Sequence, residues 1–151
     1  MEDISKRSLS LTRTFDAPVD LLWKVLTTPE HIIHWWGPDG FTNTIHKMEV
    51  KEGGKWEFTM HGPDGSDYEN EYIYSVIKPM EKIVLEHLKD PKFMIIVTLF
   101  KEGQRTKVHW QNIFESIPDK EEAIKAFKAD VGLEQNMERL SHYLKQQVLY
   151  N

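Results

Sequence analysis

Apolar residues recur at helical spacing near the end of the chain and alternate with polar ones through most of what precedes. In the stretch ADVGLEQNMERLSHYLKQQV, residues 129–148, Leu133, Met137, Leu140, Leu144 and Val148 follow one another at intervals of four, three, four and four. On a helix they form one stripe, with Glu134, Glu138, Arg139, Lys145 and Gln146 largely around the other side. Upstream, Ile124, Phe127 and Val131 form another stripe that would point well away from the first on a continuous helix. The pattern predicts a break between Ala129 and Gly132, because each half has its own apolar face to bury. Pro118-Asp119 opens this region, with Asp119 and Glu122 at capping-box spacing.

Strand periods dominate elsewhere. Leu9, Leu11, Arg13 and Phe15 alternate with Ser10, Thr12 and Thr14. Arg13 shares the apolar parity, so it belongs near a strand edge or beside a carboxylate, since a lone buried charge is expensive. Asp16-Ala17-Pro18 then starts a helix that buries Val19, Leu22, Trp23 and Leu26, and Thr28-Pro29-Glu30 starts a second one running to about Trp36. Strands follow over Ile45 to Val50, around Trp56, Phe58 and Met60, and over Tyr68 to Ile77, Lys82 to His87, Phe93 to Phe100 and Thr106 to Phe114. Short turns join them, two of which read Gly-Pro-Asp-Gly, as turn chemistry rather than as a repeated folding unit. Strands linked by short turns make an antiparallel sheet, and a sheet with a long terminal helix is α+β.

At 151 residues the chain is expected to form a single domain over 1–151. The net charge of -5 offers no positive field for nucleic acid or anionic lipid, and no apolar run approaches the ~20 residues of a membrane span. Cysteine is absent, which excludes thiolate chemistry; with no apolar signal core at the N-terminus, a cytoplasmic location is the expectation.

Three segments carry a resemblance. FDAPVDLLWKVLTTPEHIIHWWGPDGFT, GGKWEFTMHGPDGSDYENEY and VGLEQNMERLSHYL occur in the order in which similar segments occur in the Hsp90-ATPase-activator-homologue group of the START/Bet v 1-like (SRPBCC) superfamily. The resemblance covers nearly the whole chain. It implies a helix-grip fold, in which a curved antiparallel sheet of about six to seven strands wraps the C-terminal helix and two short helices follow the first strand. It also implies a cavity between sheet and helix that binds apolar or aromatic molecules, with Leu133 standing where relatives often carry an aromatic residue. Fold alone does not choose a ligand.

Strand parity marks the inward candidates. Trp56, Phe58 and Met60 form one row, Val97 and Leu99 a second, and Val108, Trp110 and Phe114 a third. Trp35, Trp36, Phe41 and Phe127 add rings, and Leu133 and Met137 face them from the helix. Taken singly, each ring reads more readily as core filling; as a set, together with the resemblance, they suit a mostly apolar site. Asn112 shares the inward parity and needs a partner there. Tyr72 and Tyr74 share one strand face and Glu71 and Ile73 the other, which leaves open which face is inside; with Glu71 inward, Arg13 would be its partner. Tryptophans beside the first Gly-Pro-Asp-Gly suggest that Trp35–Gly40 acts as a mobile lid.

Other chemistry finds little footing. His31 and His34 are three apart, but no third ligand follows and HExxH is missing, so no metal is expected. There is no GxSxG elbow and no GxGxxG, and neither catalytic residues nor a cofactor are assigned. Glu71, His87 and Tyr74 are the titratable groups that cavity acid–base catalysis would draw on. The leading reading is a binder of a hydrophobic or aromatic small molecule. The alternatives are a chaperone-associated interaction protein and a cyclase- or hydratase-type enzyme. Co-chaperones of that name carry an additional N-terminal domain, for which 151 residues leave no room. Monomer and homodimer both fit.

Overall fold

A computed structural model describes residues 3–150. After a 3-10 turn over Ile4–Arg7, the elements are β1 (Ser8–Phe15), α1 (Val19–Thr27), α2 (Pro29–Ile32), β2 (Thr42–Met48), β3 (Lys55–His61), β4 (Asp67–Lys78), β5 (Lys82–His87), β6 (Phe93–Glu102), β7 (Arg105–Phe114), α3 (Ile117–Phe127) and α4 (Ala129–Tyr150). The seven strands form one antiparallel sheet in the order β1-β7-β6-β5-β4-β3-β2. Only β1 is out of sequence, because α1, α2 and the meander separate it from its partner β7. α4 lies on the concave face, which is the helix-grip arrangement expected.

The terminal stripe is buried as its spacing requires: Leu133, Met137, Leu140 and Leu144 all join the core, and Leu140 is 0% exposed. Val148, the fifth member, is 45% exposed, since α4 has run past the sheet by that point. The break falls earlier than the predicted window. α3 ends at Phe127, and Lys128 closes it in the left-handed region at φ 51°. Gly132 lies inside α4 and serves a close approach instead. A methyl group there would come within 3.3 Å of Pro38 Cγ. The cap of α3 also differs: Ser116 accepts the Asp119 amide at 3.1 Å, so Asp119 is the capped residue and not the capping one. Thr28 holds the N-cap position of α2 without lending its hydroxyl, and α2 itself stops at Ile32, with turns leading on to Trp35.

Two bulges determine what the sheet presents. In β4 the register shifts between Tyr74 and Val76, so Tyr74 pairs with inward Leu85, whereas Val76 pairs with Val84 on the outer face. In β2 the shift between Ile45 and Lys47 keeps Asn43, Ile45 and Met48 opposite the inward row Met60, Phe58 and Trp56. Parity alone could not place Tyr72 and Tyr74, because both faces of β4 mix polar and apolar residues. The structure buries both tyrosines and turns Glu71 outward, where Lys55 meets it at 3.0 Å. Arg13 accordingly takes another carboxylate, Glu138 of α4, at 2.8 Å along the sheet-edge strand β1.

Truncating a fully buried stripe residue leaves a cavity, so Leu140→Ala is expected to lower unfolding stability by about 3 kcal/mol in urea titrations. Val148→Ala is expected to shift it by less than about 0.5 kcal/mol; equal losses would mean that α4 is seated differently.

Candidate functional site

The concave face gathers rings from five separate segments. β3 contributes Trp56 and Phe58, β4 Tyr72 and Tyr74, β6 Phe93 and β7 Trp110, while the α2–β2 connection supplies Trp35 and Trp36. Trp36 is the hub. Its ring lies 4.8 Å from Trp56, 5.8 Å from Trp110, 5.6 Å from Trp35, and 6.4 Å from both Phe58 and Tyr72, mostly edge to face. Trp56 stacks on Phe58 at 4.1 Å and on Tyr72 at 5.6 Å. Leu133 and Met137 close the layer from α4, and Val97 and Leu99 continue it along β6. Met60 packs half-buried against its margin.

Three sequence candidates stand apart from this group. Phe41 is half-buried and faces Tyr68 at 6.0 Å. Asn112 is half-buried, and its Oδ1 already accepts the Trp110 indole N–H at 3.1 Å. Phe127 is 65% exposed on the last turn of α3, because the break at Lys128 turns that stripe away from the core.

Polar atoms at the layer are few. The Trp35 indole donates to the Val25 carbonyl at 3.3 Å. Trp56, only 1% exposed, has no protein acceptor for its indole N–H. Asn43 donates through Nδ2 to the Trp36 carbonyl at 3.0 Å and leaves its buried Oδ1 without a donor. His87 is buried against Tyr72 and Phe93, each at 4.8 Å, and its ring nitrogens meet the Pro91 carbonyl at 2.9 Å and Asn70 Oδ1 at 3.1 Å. Burial lowers the His87 pKa, opposed by the carbonyls of Pro91 and Lys89. Burial likewise pushes the phenols of Tyr72 and Tyr74 well up, so neither ionises at neutral pH.

The Trp35–Gly40 segment, expected as a mobile lid, is tied down. Arg139 sends Nη1 to the carbonyls of Trp36, Gly37 and Pro38 at 3.2, 2.9 and 2.9 Å, and Nη2 to those of His34 and Phe41 at 3.4 and 3.1 Å. Asn136 donates to the Trp35 carbonyl at 2.7 Å, and Gln135 accepts the Asp39 amide at 3.2 Å. A planar guanidinium with five donors suits such a ring of carbonyls, which a lysine could not copy. Sequence reading missed Asn43, Asn136 and Arg139. Asn43 shares parity with Ile45, and Asn136 borders the α4 stripe, but neither spacing names a partner.

Two open grooves lie outside the layer. One, of about 660 Å³, is lined by His34, Glu138, Arg139, His142, Tyr143, Gln146 and Gln147. The other, of about 450 Å³, lies between β1 and α4. On the outer sheet face Thr44, His61 and Asp67 form a line with two contacts of 2.7 Å. It has the atom order of a nucleophilic relay, yet all three side chains join neighbouring strands in open solvent, where such pairs support sheet pairing. Among the described residues, no group of three or more His, Asp or Glu is placed to hold a metal ion, and no helix is long and apolar enough to cross a membrane.

The family profile described as Activator of Hsp90 ATPase homolog 1-like protein matches residues 16–145. The chain belongs to that family. Solved structures agree on the fold. A protein from Arthrobacter aurescens superimposes with a TM-score of 0.87 at 22% identity, covering 97% of this chain and 90% of its own. One from Nitrosomonas europaea gives 0.85 at 19%, covering 97% and 99%. A protein from Aeromonas hydrophila described as AHSA1-like gives 0.74 at 13%, covering 94% of each. Among curated proteins none matches significantly.

Two expectations follow for this family member. Arg139→Gln removes most of the carbonyl contacts and is expected to cost about 2 kcal/mol. It should also speed amide exchange across residues 34–41, and unchanged exchange there would mean that Arg139 does not hold the segment. For pH, the folded pKa values of His87 and of His31, which burial and then Lys24 also lower, lie below the ordinary histidine value of ~6.5. The unfolded chain therefore binds more protons below that value, and stability falls as pH drops from there towards the folded pKa values. Urea midpoints measured across this window should decline more gently for His87→Gln than for the unaltered chain.

Proposed function

We propose that this protein binds a small apolar, aromatic molecule between α4 and the concave face of the sheet, within the layer formed by Trp36, Trp56, Phe58, Tyr72 and Trp110. The observation that carries the reading is the Trp56 indole N–H, buried in the middle of that layer without a protein acceptor. A core built only for packing satisfies such donors or avoids them, whereas a binding layer keeps them for its ligand. The rings meet one another in this structure, so admission requires the layer to part. Because Arg139 holds the backbone of the segment that carries Trp36, the parting is a side-chain rotation of Trp36 within that anchored segment and not a movement of the segment itself. Met60, Tyr74, Val97, Leu99, Leu133 and Met137 line the surround, Asn112 is tied to Trp110 at its edge, and Phe41 and Phe127 stay outside it.

Native mass spectrometry of freshly purified protein, with identification of anything released, tests the reading most directly. One molecule of a planar aromatic class per chain is expected. Fluorescence titration with bicyclic aromatics should then saturate at one site and quench tryptophan emission. A protein that is empty and inert to the whole panel would sink the binding reading.

The family description favours a second reading, interaction with a chaperone of the Hsp90 type. Pull-down with purified chaperone tests it: enrichment would support it, and no enrichment would remove it.

A further inference from the structure

We infer that the ligand of this layer is an uncharged planar aromatic carbonyl compound, such as an aryl ketone, lactam or amide, in preference to a hydrocarbon or a carboxylic acid. The inference rests on the binding reading above and concerns what that site selects. Two atoms state the hydrogen-bonding demand. Trp56 Nε1–H requires an acceptor and Asn43 Oδ1 requires a donor. The Asn43 amide cannot satisfy itself by flipping, because its Nδ2 is needed by the Trp36 carbonyl. Both side chains belong to the concave row, Asn43 opposite Met60 and Trp56 opposite Met48. A carbonyl answers the indole, and Asn43, opposite Met60 four residues further along β3, sets a separate demand that the same carbonyl does not meet.

The charge inventory excludes acids. Among the described residues the buried polar groups are Ser8, Thr59, His87, Thr106, Asn136 and Ser141, with no buried Lys or Arg. His87 is held towards its neutral form by burial, and its ring nitrogens already face Pro91 and Asn70. Arg139, the cation beside the layer, is engaged by five carbonyls of residues 34–41. A carboxylate entering this layer would lose its hydration and find no counter-charge. A pure hydrocarbon would fit the rings but leave the indole donor unpaired.

Three matched probes decide the matter: acetonaphthone, its hydrocarbon isostere isopropenylnaphthalene, and naphthoate. Affinities are read by fluorescence titration, and the Trp56 indole N–H resonance is followed in tryptophan-labelled protein. Acetonaphthone should bind about tenfold more tightly than the hydrocarbon, naphthoate should bind weakest at neutral pH, and the indole proton should move downfield with the ketone alone. In Trp56→Phe, ketone and hydrocarbon should bind within about threefold of each other. Equal binding of both by the unaltered chain, or tightest binding by naphthoate, would overturn the inference while leaving ligand binding intact. An indole resonance that the ketone does not move would overturn it even if Trp56→Phe failed to fold. Binding by none of the three would end this inference and the binding reading together.

Discussion

The apolar stripe of α4 laid on the concave face of the sheet is the contact from which the other features follow. A seven-stranded antiparallel sheet with one ring-lined face must be covered, and four buried side chains of α4 cover its centre. Each contributes on the order of 1.5–3 kcal/mol through burial alone. The same seating fixes the rotation of the helix. Asn136 and Arg139, which flank Met137 and Leu140, then point at the α2–β2 connection, and Glu138 points at β1. The helix that closes the core is thus also the element that decides where Trp35 and Trp36 stand.

That connection would otherwise be a poor place to hold two tryptophans, because its backbone carbonyls have no strand to pair with. The guanidinium of Arg139 answers them collectively. Its donors are fixed in a plane that suits the converging carbonyls; burial lowers its pKa, and the Asp39 carboxylate opposes that shift. Gly132 permits the approach by leaving room for Pro38. The result is a segment with loop backbone but anchored geometry, so Trp36 packs as though it belonged to the sheet. Anchoring this ring while leaving Trp56 unpaired at its side separates the mechanical demand from the chemical one.

The two faces of the sheet divide the remaining polar chemistry. Outside, Thr, His and carboxylate side chains pair across strands in solvent, as with Thr44, His61 and Asp67, and Lys55 meets Glu71. Inside, the buried polar groups are uncharged and few. The bulges of β2 and β4 maintain that division where the strands bend, by moving one residue out of register so that the aromatic rows stay inside.

The alternating and helical periods were enough to place seven strands and the terminal helix, because a half-buried element writes its burial into local spacing. Most of the aromatic layer was legible for the same reason: Trp56, Phe58 and Trp110 sit on strands whose parity is clean. Where a bulge interrupts parity, as beside Tyr74, or a lysine adopts a left-handed backbone, as at Lys128, the local pattern misleads, and Tyr72 stayed undecided while Phe127 was placed inside. Partnerships lay beyond it altogether. Which carboxylate Arg13 meets, which carbonyls Arg139 holds and which indole keeps a free N–H depend on side chains brought together from distant parts of the chain. The sequence determined which faces must be buried, since burial follows from local hydrophobic period; only the tertiary structure decided which polar atoms find partners, since that depends on distances no local spacing contains.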